Sequence, residues 1–232
     1  MPFASPRRFA EVDFRVAQSN SEAFTWLART ADWPGGRLAL WGESGCGKTH
    51  LLHIWAARTG AAVWTGASLH GLPELPAGGL ALDDAEAAGD ETALFHLLNA
   101  TDEARLPLLL ASRTPPARWT VRLPDLASRL RAVTSVEIGP PEDALRSALL
   151  ARLLADRQLR LSETVRDWLL TRLPRTAEAL GEAVSRLDAV SLEAHRDITV
   201  PLAREVLTQL VSGPDDFPPT GDVPSPDDPR LL

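Results

Sequence analysis

The chain has 232 residues, of which 44% are hydrophobic and 24% charged, and its formal net charge is −7. These values are typical of a globular protein with one large domain or a core domain and a smaller one, and they argue against a strongly basic nucleic-acid-binding protein. The single cysteine, Cys46, excludes an internal disulfide framework. No apolar run approaches the ~20 residues that a membrane-spanning helix needs, and the first residues lack a signal-peptide core, so a cytoplasmic protein is expected.

Short apolar segments alternate with helical segments through the first 139 residues. Strands are predicted at 37–41, 61–65, 79–82, 106–112 and 135–138, and helices at 49–58, 91–104 and 126–130. Strands that alternate with helices in this way indicate a five-stranded parallel α/β sheet with helices on both faces.

The pattern changes at Pro140 and Pro141. Apolar residues then recur at helical spacing in four segments, at 142–157, 162–173, 176–194 and 199–210. We therefore predict an α/β core domain over residues 1–139 and an all-helical subdomain over residues 140–211. Residues 212–232 contain five Asp and six Pro but few apolar residues, so they are predicted to form a disordered acidic tail.

One motif carries most of the chemical information. Residues 42–49, GESGCGKT, match the P-loop (Walker A) pattern G-x-x-x-x-G-K-[ST] and lie between a predicted strand and a predicted helix. In a P-loop, backbone N–H groups and the helix N-terminus bind phosphate, the Lys binds the β- and γ-phosphate oxygens, and the Thr hydroxyl binds Mg²⁺. We expect ATP or ADP with Mg²⁺, held by Gly42, Gly45, Cys46, Gly47, Lys48 and Thr49.

Polar residues follow two further strands at the edge where the P-loop lies. Asp83 is expected to hold Mg²⁺ and Asp84 to orient the attacking water, although Asp is also common in turns at strand ends. Ser112 and Arg113 end the fourth predicted strand, where one of them is a candidate to sense the γ-phosphate and a polar strand end without a role is the alternative. His50 directly follows the P-loop and is counted with the nucleotide site, with a packing or surface position as the alternative.

Arg129 lies in a predicted short helix just before the last predicted strand. From the residues alone, a solvated arginine or an ion-pair partner is the ordinary interpretation.

Five segments together resemble the DnaA clade of AAA+ ATPases, and within it the short Hda-type homologues. They are GESGCGKTHLL at 42–52, LDD at 82–84, SRTPP at 112–116, RLPDLASRLR at 122–131 and DITVPLAREVL at 197–207. The resemblance extends over roughly residues 8–210. It implies an AAA+ core with a helical lid, in which Arg129 is an arginine finger that completes a neighbouring molecule's site. It also places Phe14 and Asn20 in the strip that lines the adenine pocket.

The resemblance also implies a function and partners. Hda-type proteins promote hydrolysis of ATP bound to the replication initiator DnaA while held on the DNA polymerase sliding clamp, and so negatively regulate chromosomal replication initiation. We therefore expect a regulatory protein with weak intrinsic ATPase activity, with DnaA as partner, the sliding clamp as a further candidate partner, and homo-oligomers as a candidate assembly.

Two features depart from the family pattern. Hda-type proteins usually begin with a clamp-binding peptide of the form Gln-Leu-x-Leu-Pro, and residues 1–8, MPFASPRR, contain none. The family's sensor arginine near the start of the third lid helix aligns with Glu178, and Arg175 is a nearby candidate to replace it.

Two other functions remain open at this point. A DNA-engaging initiator or helicase loader would need a basic or helix-turn-helix module, which neither the net charge nor the segment after the predicted lid provides, so direct sequence-specific DNA binding is not expected. A small-molecule P-loop kinase would need an acceptor pocket and a mobile Arg-rich lid, whereas the predicted lid is a four-helix subdomain.

Overall fold

The first half of the chain forms a five-stranded parallel sheet. The computed structural model describes residues 14–71, 74–194 and 198–210. The strands are β1 Arg37–Trp41, β2 Ala62–Thr65, β3 Leu80–Asp83, β4 Leu108–Ser112 and β5 Thr134–Glu137, in the order β2-β3-β4-β1-β5. All the pairings are parallel, so the predicted sheet is confirmed and the carboxyl ends of the five strands lie at one edge. This edge is called the carboxyl edge below, and the opposite one the amino edge.

Four α-helices belong to the described part of the sheet domain: α1 Ser21–Ala28, α2 Lys48–Thr59, α3 Glu91–Glu103 and α4 Pro124–Arg131. The sequence does not predict α1, because its eight residues bury only Ala23 and Leu27 and give little helical periodicity. The other three lie where the sequence predicts them, within two residues at each end.

The two faces of the sheet are covered by different helices. Leu38 and Leu40 of β1 pack in a hydrophobic cluster with α1 and α2, whereas Ala39 packs with α3 and α4 on the other face. All three side chains are fully buried. Burial on both faces explains why the predicted strands read as continuous apolar runs rather than as alternating patterns.

The second half of the chain is the helical lid, with a hydrophobic core of its own. Its helices are α5 Asp143–Asp156, α6 Glu163–Arg172, α7 Ala177–Ala194 and α8 Val200–Val206. The Arg146 side chain is only 2% exposed and donates hydrogen bonds to the carbonyl oxygens of Leu170 and Leu173, where α6 ends. Within the described ranges, no helix is both long and apolar enough to span a membrane.

Candidate nucleotide-binding site

The P-loop connects the end of β1 to the start of α2 and depends on two close approaches. A side chain at Gly42 would collide with the carbonyl oxygen of Ile138, and one at Gly45 would collide with the Thr176 side chain. Gly45 also has a positive φ of 75°. Glycine avoids both collisions and tolerates this positive φ, so the loop can lie against Ile138, which follows β5, on one side and against Thr176 of the lid on the other.

The Lys48 side chain lies inside this loop. Its Nζ atom donates hydrogen bonds to the carbonyl oxygens of Gly42 at 2.7 Å and Glu43 at 2.8 Å, and the side chain is largely buried. Nζ is also 3.7 Å from the Cys46 sulfur atom. Burial raises the pKa of the Cys46 thiol, and the neighbouring ammonium group opposes this shift without cancelling it. The loop thus contains one ordered positive charge beside a neutral thiol.

Thr49 and Asp83 lie together at the carboxyl edge. The Thr49 hydroxyl donates a 2.8 Å hydrogen bond to Oδ2 of Asp83, the last residue of β3. A hydroxyl and a carboxylate are hard oxygen ligands of the kind that Mg²⁺ binds, and such a site is completed by phosphate oxygens and water. The part of the chain that the structure describes contains no group of three or more metal-binding side chains. These residues therefore fit a Mg²⁺ ion that arrives with a phosphate ligand.

Two further predicted residues lie at the same edge. Asp84 is exposed and has a left-handed backbone with a φ of 47°, and its N–H donates to Oδ1 of Asp83. Ser112 is fully buried, and its hydroxyl donates to the carbonyl oxygen of Thr114, while its own carbonyl accepts the Gly42 N–H. The hydroxyl of Ser112 is thus engaged locally, and its backbone anchors the start of the P-loop.

Sequence reasoning missed Glu86 at this edge. Its Oε1 atom accepts a 2.7 Å hydrogen bond from the N–H of Arg113, so it joins the turn after β3 to the end of β4. A single Glu in a turn gives no sequence signal for such a contact.

Phe14 and Asn20 belong to a strip before α1 that borders a cavity next to the P-loop. The Phe14 ring is parallel to that of Phe24, with centroids 6.1 Å apart, and its centroid is 5.3 Å from that of His50 in an edge-on contact. Asn20 is 3% exposed, donates to the carbonyl oxygen of Arg15, and accepts from the N–H of Ala17. The Asn20 side chain therefore stabilises the strip by hydrogen bonds to the backbone of Arg15 and Ala17.

Three parts of the chain line this cavity. Besides the strip and the P-loop residues with His50, the lid contributes Pro141, Leu145, Leu149, Arg152 and Ala177. The lid residues were not singled out from the sequence, because apolar residues at helical spacing in α5 predict only a packed helix face. A mostly apolar cavity beside a phosphate-binding loop is suited to a nucleotide base.

The turn before α7 brings the lid against the P-loop. The Ala177 N–H donates to the carbonyl oxygen of Gly45 at 3.4 Å, and Thr176 packs against the same glycine. Arg175, in this turn, forms a 2.5 Å ion pair with Asp143. Of the two candidates for the sensor position, Arg175 lies in the contacting turn itself and Glu178 is exposed in the first turn of α7.

Arg129 lies far from these groups, towards the amino edge. Its guanidinium carbon is 5.5 Å from the centre of the Phe95 ring, and a guanidinium nitrogen is 4.0 Å from Asp102. The same Asp102 carboxylate is 3.3 Å from the side chain of Arg37, which begins β1, whereas the P-loop follows the last residue of β1. A five-residue strand is about 15 Å long, so Arg129 and the P-loop lie towards opposite ends of β1. The Arg129 side chain is 37% exposed.

Comparison with known proteins identifies the family. Residues 143–207 match the family model described as "Hda, lid domain". A protein of Haemophilus influenzae, described only as uncharacterized, is 31% identical over 186 residues, which cover 72% of this chain and 80% of that protein. Domain III of the replication initiation protein DnaA from Thermotoga maritima has a similar structure, with a TM-score of 0.72 and 19% identity over 88% of this chain and 98% of that domain.

The chain belongs to the DnaA/Hda-like AAA+ ATPases. The structure of AMPPCP-bound DnaA from Aquifex aeolicus is also similar to that of this AAA+ protein. The TM-score is 0.61 and the identity 20%, over 83% of this chain and 67% of the DnaA chain. The predicted resemblance and the predicted AAA+ fold with a helical lid are therefore both confirmed.

Proposed function

We propose that this AAA+ protein binds ATP or ADP with Mg²⁺ and promotes hydrolysis of ATP bound to the replication initiator DnaA, so that it negatively regulates the initiation of replication. One observation carries the proposal. The candidate finger Arg129 lies towards the amino edge of the sheet, whereas the protein's own P-loop lies at the carboxyl edge. An arginine in that position suits the nucleotide of a neighbouring molecule and not its own.

The carboxyl edge supports nucleotide binding by this chain. In this proposal the P-loop backbone and Lys48 bind the phosphates, and Thr49 and Asp83 hold Mg²⁺, which neutralises phosphate charge when bound. In the same proposal Asp84 orients the attacking water, and Ser112 is the candidate to sense the γ-phosphate, for which its hydroxyl would have to leave the carbonyl oxygen of Thr114. The AMPPCP-bound relative supports an adenine nucleotide, with the base in the cavity between Phe14 and the lid.

Arg129 supplies the regulatory activity. A guanidinium placed beside the transferring phosphoryl group stabilises its charge, and fingers supplied in trans accelerate hydrolysis by about 10³–10⁵-fold. The planar fork of donors matters as much as the charge, so lysine is not an adequate replacement. The intrinsic ATPase activity of this chain would be weak, because Arg129 lies towards the opposite end of β1 from its own P-loop.

Family membership supports DnaA as the partner. The sliding clamp is a further candidate that rests on the resemblance alone, and residues 1–8, where a clamp-binding peptide would be expected, lie outside the described residues. Assembly with a second copy of this chain would use the same two edges, since each copy presents a finger at one and a nucleotide site at the other.

The test is single-turnover hydrolysis by ATP-loaded DnaA, with the clamp on DNA, after addition of wild-type or variant protein. Arg129→Ala and Arg129→Lys should each abolish the stimulation while leaving ADP affinity unchanged. Arg131→Ala is the matched control, because Arg131 is an exposed arginine in the same last turn of α4. Full stimulation by Arg129→Ala would refute the trans-finger function.

A further inference from the structure

The strip that borders the base cavity is fastened to the lid through one carboxylate. Ser19 donates two hydrogen bonds to Glu142, from its N–H to Oε1 at 2.5 Å and from its hydroxyl to Oε2 at 3.0 Å. Glu142 immediately precedes α5, the first lid helix. The Ser19 carbonyl oxygen also accepts the N–H of Gly139, the last residue before the two prolines. The strip is therefore held at the junction between sheet and lid.

The strip is also ordered internally. The Asn20 side chain bonds to the backbone at Arg15 and at Ala17, which closes residues 15–20 into a compact turn. A shift at Ser19 is therefore transmitted to Arg15 and to the adjoining Phe14, and both of these line the cavity.

The opposite wall of the cavity is formed by α5, which directly follows Glu142. Leu145 and Leu149 of α5 line the cavity one and two turns after Glu142. Because Glu142 directly precedes this helix and accepts two hydrogen bonds from Ser19, its carboxylate links the two walls of the cavity.

We propose that Glu142 is a positioning residue for the nucleotide base, because it fixes the width of the cavity between the strip and the first lid helix. The inference rests on the proposed binding of an adenine nucleotide at the P-loop. Glu142 does not line the cavity, so it acts through Phe14, Arg15 and the α5 leucines.

The charge state of Glu142 supports this role. Its own backbone N–H, and then the N–H and hydroxyl of Ser19, hold the pKa of the carboxyl below its usual value, although burial opposes the shift. The group is therefore ionised at neutral pH, and both contacts with Ser19 are charge-assisted hydrogen bonds.

The phosphate-binding groups do not depend on this contact. Lys48 bonds to the loop carbonyl oxygens and Thr49 to Asp83, so neither is bonded to Glu142 or Ser19. Loss of the Glu142 carboxylate should therefore weaken binding of a ligand that has a base and spare one that has phosphates alone.

The experiment compares Mg²⁺–ADP with Mg²⁺–tripolyphosphate by isothermal titration calorimetry. Glu142→Ala should lower the affinity for ADP about tenfold, because two charge-assisted hydrogen bonds are lost. Its affinity for tripolyphosphate should stay at the wild-type value. Ser19→Ala, which keeps the backbone contact, should show a smaller loss for ADP, and Glu142→Gln, which keeps the acceptor at Oε1, should recover most of the affinity.

Glu163→Ala is the matched control, since Glu163 is an exposed glutamate at the start of α6. Equal losses for the two ligands, or no loss for ADP in Glu142→Ala, would overturn the inference. If Glu142→Ala does not fold, as judged by thermal unfolding, Ser19→Ala decides the question by the same comparison. Wild-type protein that binds neither ligand would refute the proposed nucleotide site itself, and wild-type protein that binds ADP no better than pyrophosphate, which has the same number of phosphates, would refute only the base pocket.

Discussion

The two edges of the sheet are built in opposite ways. At the carboxyl edge the polar groups are engaged with one another: Lys48 with the loop carbonyl oxygens, and Thr49 with Asp83. Towards the amino edge, the Arg129 side chain is more than one-third exposed, and it forms a long 4.0 Å ion pair with Asp102 and a contact with the Phe95 ring. The polar groups of the first edge are ordered by their hydrogen bonds to one another, whereas the second edge presents a partly exposed cation.

This difference teaches that the parts of a catalytic site can be divided between molecules. In a parallel sheet the strands all run the same way, so features at their two ends stay apart by the length of a strand. In the proposed function, Arg129 at one edge would therefore meet a nucleotide bound at the P-loop edge of a second molecule.

The largest expected effect at the carboxyl edge is that of Lys48→Ala. The affinity for ADP should fall by about 10–100-fold, because charge-assisted hydrogen bonds to phosphate are lost. Titration with a fluorescent ADP analogue measures it. Arg129→Ala serves as the control and should bind ADP as wild type does. If Arg129→Ala weakened ADP binding as much as Lys48→Ala, the conclusion that the two edges have separate roles would be wrong.

A middle-sized effect is expected for Asp83→Asn. The increase in ADP affinity that Mg²⁺ brings should shrink about tenfold, because a carboxylate near the ion is replaced by a neutral amide. The measurement is ADP titration with Mg²⁺ and with EDTA. Asp84→Asn, at the neighbouring exposed position, is the control, and Mg²⁺ should increase its affinity for ADP as much as it does in the wild-type protein. A wild-type Mg²⁺ dependence in Asp83→Asn would remove Asp83 from the metal site.

The smallest effect is expected at the amino edge, for Asp102→Asn. Stimulation of the partner's hydrolysis should fall about two- to threefold, since partly exposed ion pairs contribute little and this one only restrains Arg129. Single-turnover hydrolysis by ATP-loaded DnaA measures the change, with ADP affinity as an internal control. A loss as large as that of Arg129→Ala would show that the ion pair with Asp102 is essential for the position of Arg129. The amino edge would then be as well ordered by its own contacts as the carboxyl edge.

Much of the fold and of the carboxyl edge could be predicted from the sequence. Strands buried on both faces leave apolar runs such as residues 37–41, RLALW, and the P-loop residues are contiguous in the chain. Asp83 could be found because a strand end fixes its place in a parallel sheet.

The contacts that could not be predicted join residues far apart in the chain. Ser19 and Glu142 are 123 positions apart, and the contact of Arg37 with Asp102 likewise depends on how α3 packs against β1. Isolated polar residues have no periodicity, and their partners are set only when the elements pack. Helix α1 was missed for a related reason, since two buried positions do not make a recognisable stripe.

The hydrogen bonds of Lys48 have a consequence for the thermodynamics of ligand capture. Its ammonium group is already removed from bulk water and its four-carbon chain is already confined by Gly42 and Glu43. Confining a lysine side chain costs about 1.5–2 kcal/mol in rotamer entropy, and here this cost arises when the protein folds and not when the ligand binds. An arriving phosphate exchanges carbonyl acceptors for its own oxygens, and we expect the loop to bind as a nearly rigid receptor.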